Sequence, residues 1–393
     1  MSASGCALAA ALLALALPGG TARATAPVPW TTQAQQLIGR LPVSVSVGER
    51  GRLVYAHAGN VRRPPASDEK LLLSIALLDR FGPRYRIPTT VESTHPAEHG
   101  RVPGNVWLVG HGDPELNESA LERLAHKLRA SGIHGLRGSI IGVTDTFTRE
   151  RWASGWRPIA LQFIALPTAL TFEANSDRAG FAFDPERRAA AALTVDLRAL
   201  GVGVRRRAHA GREPSNPRHV IATIRSAPLV DILRRQNRDS LNLDAEVLTK
   251  MLGAATLGPP GSIAKGARAI QAWASRQGVE LIAHDGSGLS YTNAVSTNAI
   301  VRLLSVASRQ PWGPALRSTL PTGGEGTLAG RLPGLDIRAK TGTLLQQVSA
   351  LSGWVRLRTS NRWAEFSILS RGLSKPRAVA LEDALVTLIA QKA

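Results

Sequence analysis

Strand-forming segments lie at both ends of this 393-residue chain, and their placement limits the folds that it can adopt. Residues 42–57 alternate between apolar and polar side chains on either side of a glycine-containing turn, which predicts a β-hairpin. Residues 348–369 predict a second strand pair, and residues 381–389 predict a closing amphipathic helix that packs on a sheet. We therefore expect the two ends of the chain to contribute strands to one sheet.

The middle of the chain differs in character. Within residues 86–222, a strand-like segment at 106–109 precedes a glycine-rich turn and a predicted helix at 121–130. A stretch rich in proline and arginine at 211–218 resembles a linker. We interpret this region as a domain inserted between the two halves of the first.

The first residues predict export. Residues 7–17 are an unbroken apolar run, too short to span a bilayer, and an Ala-x-Ala sequence at 22–24 follows it. This pattern is typical of a signal peptide comprising residues 1–24, although no basic residue precedes the apolar run. The only cysteine, Cys6, lies inside this segment, so the mature chain would lack disulfides, a thiol nucleophile and cysteine-ligated metals.

The chain is strongly basic, with a formal net charge of +19 and basic residues concentrated near residues 205–207. Anionic cell-wall polymers are possible partners for an exported protein of this charge, and a merely solvated arginine-rich surface remains an alternative. No zinc-finger spacing or aromatic-plus-basic motif accompanies the charge, so we predict no specific nucleic-acid partner. The histidines show no helical ligand pair, and we predict no metal and no cofactor.

Three short motifs carry candidate chemistry, and each is common when it occurs alone. In chain order they are Ser67-Asp68-Glu69-Lys70, Ser240-Leu241-Asn242 and Lys340-Thr341-Gly342-Thr343. Their order and their secondary-structure context make them informative together.

The first motif stands at the start of a helix predicted to begin at about Ser67. Residues three apart share a helix face, so the Lys70 amine can reach the Ser67 hydroxyl and activate it, provided that burial and a nearby cation such as Lys340 favour the neutral amine. Backbone N–H groups at the helix start can also face the negative charge that develops on a carbonyl oxygen. Alone, the pair could equally be a helix-capping serine and a solvated lysine.

The other two motifs suit a peptide substrate. Ser240 and Asn242 precede an apolar helical face, where they could relay a proton and hold an amide, although helix capping explains them equally well. Lys340 and its threonine neighbours, expected on a strand or at its end, can bind a terminal carboxylate, and Gly342 can let a peptide approach the strand edge.

With these motifs in place, the chain resembles the class C low-molecular-mass penicillin-binding proteins, the D-alanyl-D-alanine carboxypeptidase/endopeptidase family of serine peptidases. The matching segments are PASDEKL at 65–71, FGPRYR at 81–86, VGHGDP at 109–114, DGSGLS at 285–290, and residues 323–351.

The resemblance implies an α/β transpeptidase fold of the penicillin-binding and serine β-lactamase kind, an antiparallel sheet flanked by helices, with one inserted α/β domain. The catalytic domain would comprise residues 27–85 and 223–393, and the inserted domain residues 86–222. Family members often carry a further β-rich insertion, but here Phe172 to Asn175 runs almost directly into the helix predicted from Asp184, so that insertion is expected to be absent.

The resemblance also implies roles. Ser67 would be the acylated nucleophile, Lys70 its base, Ser240 a proton relay and Asn242 a substrate ligand. Lys340 would supply positive charge, with Thr341, Gly342 and Thr343 binding substrate. The backbone N–H groups of Ser67 and Thr343 would form the oxyanion hole. The partners implied are peptidoglycan stem peptides and, as covalent inhibitors, β-lactam antibiotics, in the cell wall or periplasm and without a membrane span in the mature form.

The second motif departs from the family pattern, because Leu241 stands where a polar residue is frequent. Two alternatives to a DD-peptidase also remain. The same fold could serve a β-lactamase or an esterase, although no glutamate motif for deacylation is evident. The chain could instead be a catalytically silent protein that binds the cell wall.

Overall fold

The computed structural model describes residues 29–215 and 218–392. The predicted signal peptide and Cys6 lie outside the described residues. No helix in the described part of the chain is long and apolar enough to cross a membrane.

The strands of the described residues are, in chain order, β1 (Val43–Glu49), β2 (Arg52–His57), β3 (Pro88–Ser93), β4 (Arg101–Val102), β5 (Val106–Gly110), β6 (Gly135–Leu136), β7 (Ile140–Val143), β8 (Ser176–Asp177), β9 (Gly180–Phe181), β10 (Gly203–Val204), β11 (His209–Gly211), β12 (His219–Arg225), β13 (Ile337–Leu344), β14 (Val348–Arg356) and β15 (Trp363–Arg371).

The α-helices of the same residues are α1 (Trp30–Ile38), α2 (Glu69–Phe81), α3 (Glu118–Ala130), α4 (Pro185–Ala199), α5 (Leu229–Asp239), α6 (Asn242–Leu257), α7 (Ile263–Arg276), α8 (Thr297–Ser308), α9 (Gly313–Ser318) and α10 (Lys375–Lys392). Short 3₁₀ turns occur at Ala66–Asp68, Pro158–Gln162, Glu173–Asn175 and Gly326–Leu328.

The main sheet unites the two ends of the chain. Its five strands lie in the order β13-β14-β15-β1-β2, and every neighbouring pair is antiparallel. Val43 of β1 pairs with Ser370 of β15, so the hairpin near the start of the chain continues the sheet formed at its end. Both predicted strand pairs and their shared sheet are confirmed.

Both faces of this sheet are covered, which explains why β1 is buried along almost its whole length. The valines of β1 pack in one apolar cluster with residues of α1 and α10. On the opposite face, the Ser46 hydroxyl lies 2.7 Å from the Thr297 hydroxyl at the start of α8. The polar members of the alternating pattern therefore face a helix and not solvent.

Helix α2 is the centre of the helical layer. Its residues from Glu69 to Leu78 are all buried, and it packs against α5, α6 and α7. Because α2 is enclosed by neighbouring helices, its N-terminal end holds the adjoining Ser67 in a rigid frame.

A second sheet is formed by the middle of the chain, in the order β11-β7-β5-β3-β12. Strands β5, β7 and β11 run parallel, while β3 is antiparallel to both β5 and β12, and α3 and α4 share an apolar cluster with this sheet. The expected boundary at residue 222 falls inside β12, whose residues 219–225 pair with β3. The same strand begins directly after the segment that resembles a linker.

Candidate active site

Ser67 lies in the 3₁₀ turn that leads into α2, and its hydroxyl accepts a hydrogen bond of 3.1 Å from the Lys70 Nζ. Neither the 3₁₀ turn nor α2 receives a side-chain capping bond at its start. The capping explanation for Ser67 therefore does not hold, and the predicted reach of the lysine to the serine is observed.

Lys70 is fully buried and has two further acceptors. Its Nζ donates to Asn242 Oδ1 at 2.8 Å and to the carbonyl oxygen of Ser287 at 2.6 Å. Burial lowers the pKa of Lys70 to about 8, against the opposing influence of Asp285, Glu246 and other acidic groups. Burial, and not a neighbouring cation, is thus the main reason that the neutral amine is accessible near physiological pH.

Ser240 occupies the corner between α5 and α6, in the left-handed conformation with φ of 57°. Its hydroxyl accepts a 3.0 Å hydrogen bond from the Lys340 Nζ. Asn242 is the first residue of α6, and the start of this helix carries no side-chain capping bond. Side-chain capping of α6 therefore does not account for either residue, although the backbone of Ser240 ends α5 with an N–H bond to the Gln236 carbonyl oxygen. The side chains of both residues reach the other motifs.

The Asn242 side chain links Lys70 of α2 to the middle of the chain. Its Oδ1 accepts from Lys70, and its Nδ2 donates to the carbonyl oxygen of Phe163 at 3.1 Å. Because one partner is a donor and the other an acceptor, the orientation of the amide is set by its contacts.

The third motif lies on β13, the edge strand of the main sheet, as predicted. Lys340 is fully buried and donates to the Thr341 carbonyl oxygen at 2.7 Å in addition to Ser240. Burial and the charge of Lys70 lower the pKa of Lys340 to about 7.

The reason for glycine at position 342 differs from our expectation. A Cβ atom there would lie 2.7 Å from the Pro65 carbonyl oxygen and 3.1 Å from the Ala66 Cβ. The absent side chain thus lets β13 lie against the turn that carries Ser67, whereas the sequence suggested room for an approaching substrate.

A cleft of about 260 Å³ lies over these motifs. Its lining residues are Ser67, Ile159, Ala160, Phe163, Ser240, Asn242, Leu289, Tyr291, Thr343, Leu344 and Leu345. Four of the predicted site residues line the cleft, while Lys70, Lys340, Thr341 and Gly342 are buried behind it. We expected Lys340 to bind a substrate carboxylate; in this arrangement its Nζ lies behind the cleft and contacts the Ser240 hydroxyl.

Sequence reasoning missed the apolar wall of the cleft. Ile159, Ala160 and Phe163 come from the middle of the chain, within and after a 3₁₀ turn. The Tyr291 hydroxyl donates to the Leu345 carbonyl oxygen at 3.1 Å. The run of apolar residues from 161 to 172 was the available signal, but its periodicity did not show that it faces the catalytic motifs.

The loop at residues 285–290 connects Lys70 to two buried carboxyl groups. Asp285 accepts from the backbone N–H of Gly288 and Ser290 and from the Trp156 indole at 2.7 Å. Glu246, which the sequence did not single out, accepts from the N–H of Gly286 and Ser287 at 3.0 and 2.7 Å.

These hydrogen bonds fix the direction of the Ser287 carbonyl oxygen, which accepts a hydrogen bond from the Lys70 Nζ. Gly288 then lets the loop lie against the turn that carries Ser67, since a Cβ there would lie 1.9 Å from the Ala66 carbonyl oxygen and 3.0 Å from the Ser67 nitrogen. The loop is therefore a support for both Ser67 and Lys70.

Comparison with known proteins agrees with this geometry. The D-Ala-D-Ala carboxypeptidase 3 (S13) family matches the chain over residues 32–179 and 177–392, which is nearly all of it. The chain belongs to this family. It is thus a serine peptidase of the D-Ala-D-Ala carboxypeptidase class, as the resemblance implied.

Individual relatives extend over most of the chain. The D-alanyl-D-alanine carboxypeptidase of Actinomadura sp. strain R39 is 27% identical, over 90% of this chain and 81% of the relative. The crystal structure of penicillin-binding protein 4 (dacB) from Haemophilus influenzae has a TM-score of 0.79 at 21% identity, covering 91% of this chain and 99% of that one. The same protein complexed with a β-lactam has a TM-score of 0.74 at 20% identity, covering 92% and 99%. These structures confirm the predicted fold class.

Proposed function

We propose that Ser67 is the acylated nucleophile of a penicillin-sensitive DD-peptidase that acts on peptidoglycan stem peptides. The observation that carries this proposal is the 3.1 Å contact of the Ser67 hydroxyl with a buried lysine whose pKa is lowered to about 8. The neutral Lys70 amine takes the hydroxyl proton as Ser67 attacks the carbonyl carbon between two D-alanines. D-alanine leaves, and water then hydrolyses the acyl-serine ester.

Ser240 and Lys340 return a proton to the leaving amine. The Ser240 hydroxyl lines the cleft, while Lys340 lies behind it with its Nζ 3.0 Å from the Ser240 oxygen. Lys340 therefore acts through Ser240, by orienting and polarising its hydroxyl, and supplies positive charge without touching the substrate.

Asn242, Thr343 and the edge of β13 hold the substrate. The Ala339 N–H on the outer edge of β13 donates to the Pro321 carbonyl oxygen, so an extended peptide would pair with the part of this edge near Thr343, as added strands pair with sheet edges. Thr343 is exposed in the cleft, so its hydroxyl can contact a terminal carboxylate, with Thr341 and Gly342 shaping the strand behind it. The backbone N–H groups of Ser67 and Thr343 form the oxyanion hole.

The composition of the cleft favours a peptidase over a β-lactamase. Among the described residues, no carboxyl group lines the cleft, and Glu246 is occupied with the loop at 285–290. Rapid deacylation of a β-lactam needs a base that activates water, so the acyl-enzyme formed here is expected to be long-lived. The β-lactam complex of the Haemophilus influenzae relative is in accord with such trapping.

Export and the domain division belong to the same proposal. A stem peptide is found outside the cytoplasm, and the signal peptide proposed for residues 1–24 would deliver the enzyme to it. We assign the main sheet and its helices to a catalytic domain, and the second sheet to one inserted domain that ends with β12 near residue 225. The two family matches meet at residues 177–179, in the short segment where a second insertion is expected to be absent.

Release of D-alanine from a stem pentapeptide tests the proposal. The wild-type protein is expected to release D-alanine, and Ser67→Ala to release none. Ser131→Ala, which changes a serine at the end of α3 far from the cleft, is the matched control and should retain activity. Equal release by wild type and Ser67→Ala would refute the assignment, and release by neither would favour a catalytically silent protein.

A further inference from the structure

Two adjoining grooves lined by arginines lie at the turn between β1 and β2. The first, of about 360 Å³, is lined by Arg52, Arg302 and Arg309. The second, of about 400 Å³, is lined by Arg50, Arg309, Arg317 and Arg362. Both grooves include Gly51, Ser305 and Arg309, so together they form one continuous channel, which we call the arginine groove.

The positive charge of the first half of the groove is not neutralised. Arg302 and Arg309 are seven residues apart on α8 and its C-terminal end, so they project from the same face of the helix. Arg52, at the start of β2, lines the opposite wall. Within residues 29–215 and 218–392, none of these three arginines forms an ion pair. Arg309 donates to the Ser305 hydroxyl at 3.0 Å, and Arg302 Nε donates to the Gln277 carbonyl oxygen at 3.0 Å, and neither acceptor carries a charge that would neutralise the guanidinium.

The second half carries an excess of positive charge. Arg362 is paired with Glu49 at 3.2 Å. Glu365 is the one carboxyl group among the residues lining the groove in the described part of the chain. It is 4% exposed, and its Oε1 accepts from the Ser308 hydroxyl at 3.0 Å. Arginines that outnumber carboxyl groups along a groove attract oxyanions and bind them with a forked geometry.

The groove lies far from the catalytic cleft. In the main sheet, Thr343 pairs with Ser349, which pairs with Ser370 near one end of β15. Glu365 of the groove is five residues further along β15, and at about 3.4 Å per residue the two sites are separated by about 17 Å along the strand. A ligand in the groove would leave the cleft open.

The groove lacks an open aromatic platform for nucleic-acid bases. Among the described residues that line the arginine groove, Trp363 is the one aromatic residue. The guanidinium groups of Arg317 and Arg356 lie 4.9 and 4.5 Å from the centre of its ring. Stacking of bases on aromatic rings is a main contribution to the binding of single strands, so these contacts favour a polymer without bases.

We propose that the arginine groove binds a linear polymer that carries oxyanions, phosphate or carboxylate, at regular intervals. Arg52, Arg302 and Arg309 hold one oxyanion, and the second half of the groove, beginning at the shared Arg309, holds the next. The inference does not depend on the proposed catalysis. Binding at this distance would retain the enzyme on an anionic matrix while the cleft remains free for peptides.

Binding of defined polymers by the full chain tests this proposal. The triple variant Arg52→Gln, Arg302→Gln, Arg309→Gln is compared with Arg205→Gln, Arg206→Gln, Arg207→Gln, which removes the same charge from exposed residues next to β10. The probes are poly(glycerol phosphate) and polyglutamate, measured over a range of salt concentrations, and they distinguish the two sources of oxyanion.

We expect the groove variant to bind at least one polymer about 3- to 100-fold more weakly than wild type, since it loses three exposed charge contacts. Its salt dependence should also fall, while the control variant changes little. A midpoint of thermal unfolding equal to that of wild type shows that each variant is folded. Equal weakening by both variants, or no weakening by the groove variant, would contradict the proposal. Preferential binding to phosphatidylglycerol vesicles through the same three arginines would also overturn it.

Discussion

The Lys70 Nζ lies 2.6 Å from the carbonyl oxygen of Ser287, closer than its 3.1 Å distance from the Ser67 hydroxyl. The Ser287 carbonyl therefore directs the amine, and two buried carboxyl groups direct the Ser287 loop through its backbone N–H groups. In the proposed mechanism, the reactivity of Ser67 therefore depends on residues that do not line the cleft.

Substitution of Gly288 tests this support. In Gly288→Ala, the new Cβ would lie 1.9 Å from the Ala66 carbonyl oxygen, at a φ of 82°. We expect acylation by a β-lactam to slow by about 100-fold, because a displacement of about 1 Å at the nucleophile can have that effect. Gly334→Ala is the control, with φ of 74° and open space around the Cβ, and it should lose only about 1–2 kcal/mol of stability from backbone strain. Equal acylation rates in both variants would show that the loop does not position Ser67.

The pH dependence of acylation identifies the base. Because the pKa of Lys70 is about 8, the neutral fraction rises through that pH, and the acylation rate constant should rise with it. Asn242→Asp places a carboxylate within about 2.8 Å of the amine, favours its charged form, and should move the midpoint upward by about 1 unit or more. Asn105→Asp, in the turn directly before β5, should leave the midpoint unchanged. A midpoint insensitive to Asn242→Asp would exclude Lys70 as the titrating group.

Glu246 should make stability depend on pH. Burial raises its pKa from 4.5 to about 7, so the native state keeps the proton that the unfolded state loses. The free energy of unfolding then falls as pH rises from about 4.5 to 7, since the native state binds more protons over that interval. The glutamine in Glu246→Gln is neutral at every pH. This variant should therefore reduce the pH-dependent decrease in the free energy of unfolding by on the order of 1 kcal/mol or more.

Denaturant unfolding at pH 5 and pH 7.5 measures the effect. Glu280→Gln, at an exposed glutamate, is the matched control and should retain the wild-type slope. A slope in Glu246→Gln equal to that of wild type would mean that Glu246 is ionised in the native state at both pH values.

Thr343 should matter for the terminal carboxylate of the substrate. A hydrogen bond to a charged group is worth about 1.5–3 kcal/mol, so Thr343→Ala is expected to raise KM for a peptide with a free carboxylate by about tenfold or more. The exposed side chain predicts little change in stability. The same peptide with a C-terminal amide is the control, and a parallel rise in its KM would assign Thr343 a role other than carboxylate binding.

Local patterns predicted the parts of the structure that local forces determine. The strands at residues 348–357 and 363–369 appear as β14 and β15, and the helical segment predicted from about Ser67 begins one residue earlier, at Ala66. Asp285 was recognisable as a turn residue because carboxyl groups often accept from nearby backbone N–H groups. Helical spacing predicted the contact between Ser67 and Lys70, whereas the meeting of this pair with Asn242 was available only from the resemblance to a family.

Contacts between residues far apart in the chain could not be predicted from the sequence. Glu246 lies inside an apolar helix, and nothing in its neighbourhood indicates that it accepts from residues 286 and 287. Phe163 belongs to an apolar run whose pattern does not specify the surface it faces. Gly342 was assigned to substrate approach because the turn that fills its space is some 275 positions earlier in the chain.

Mass spectrometry of the protein after incubation with benzylpenicillin tests the central claim most directly. We predict one adduct of the mass of the intact antibiotic, located by peptide mapping on the peptide that contains Ser67 and absent from Ser67→Ala. An adduct on a different residue, or undiminished labelling of Ser67→Ala, would contradict the assignment of Ser67 as the nucleophile.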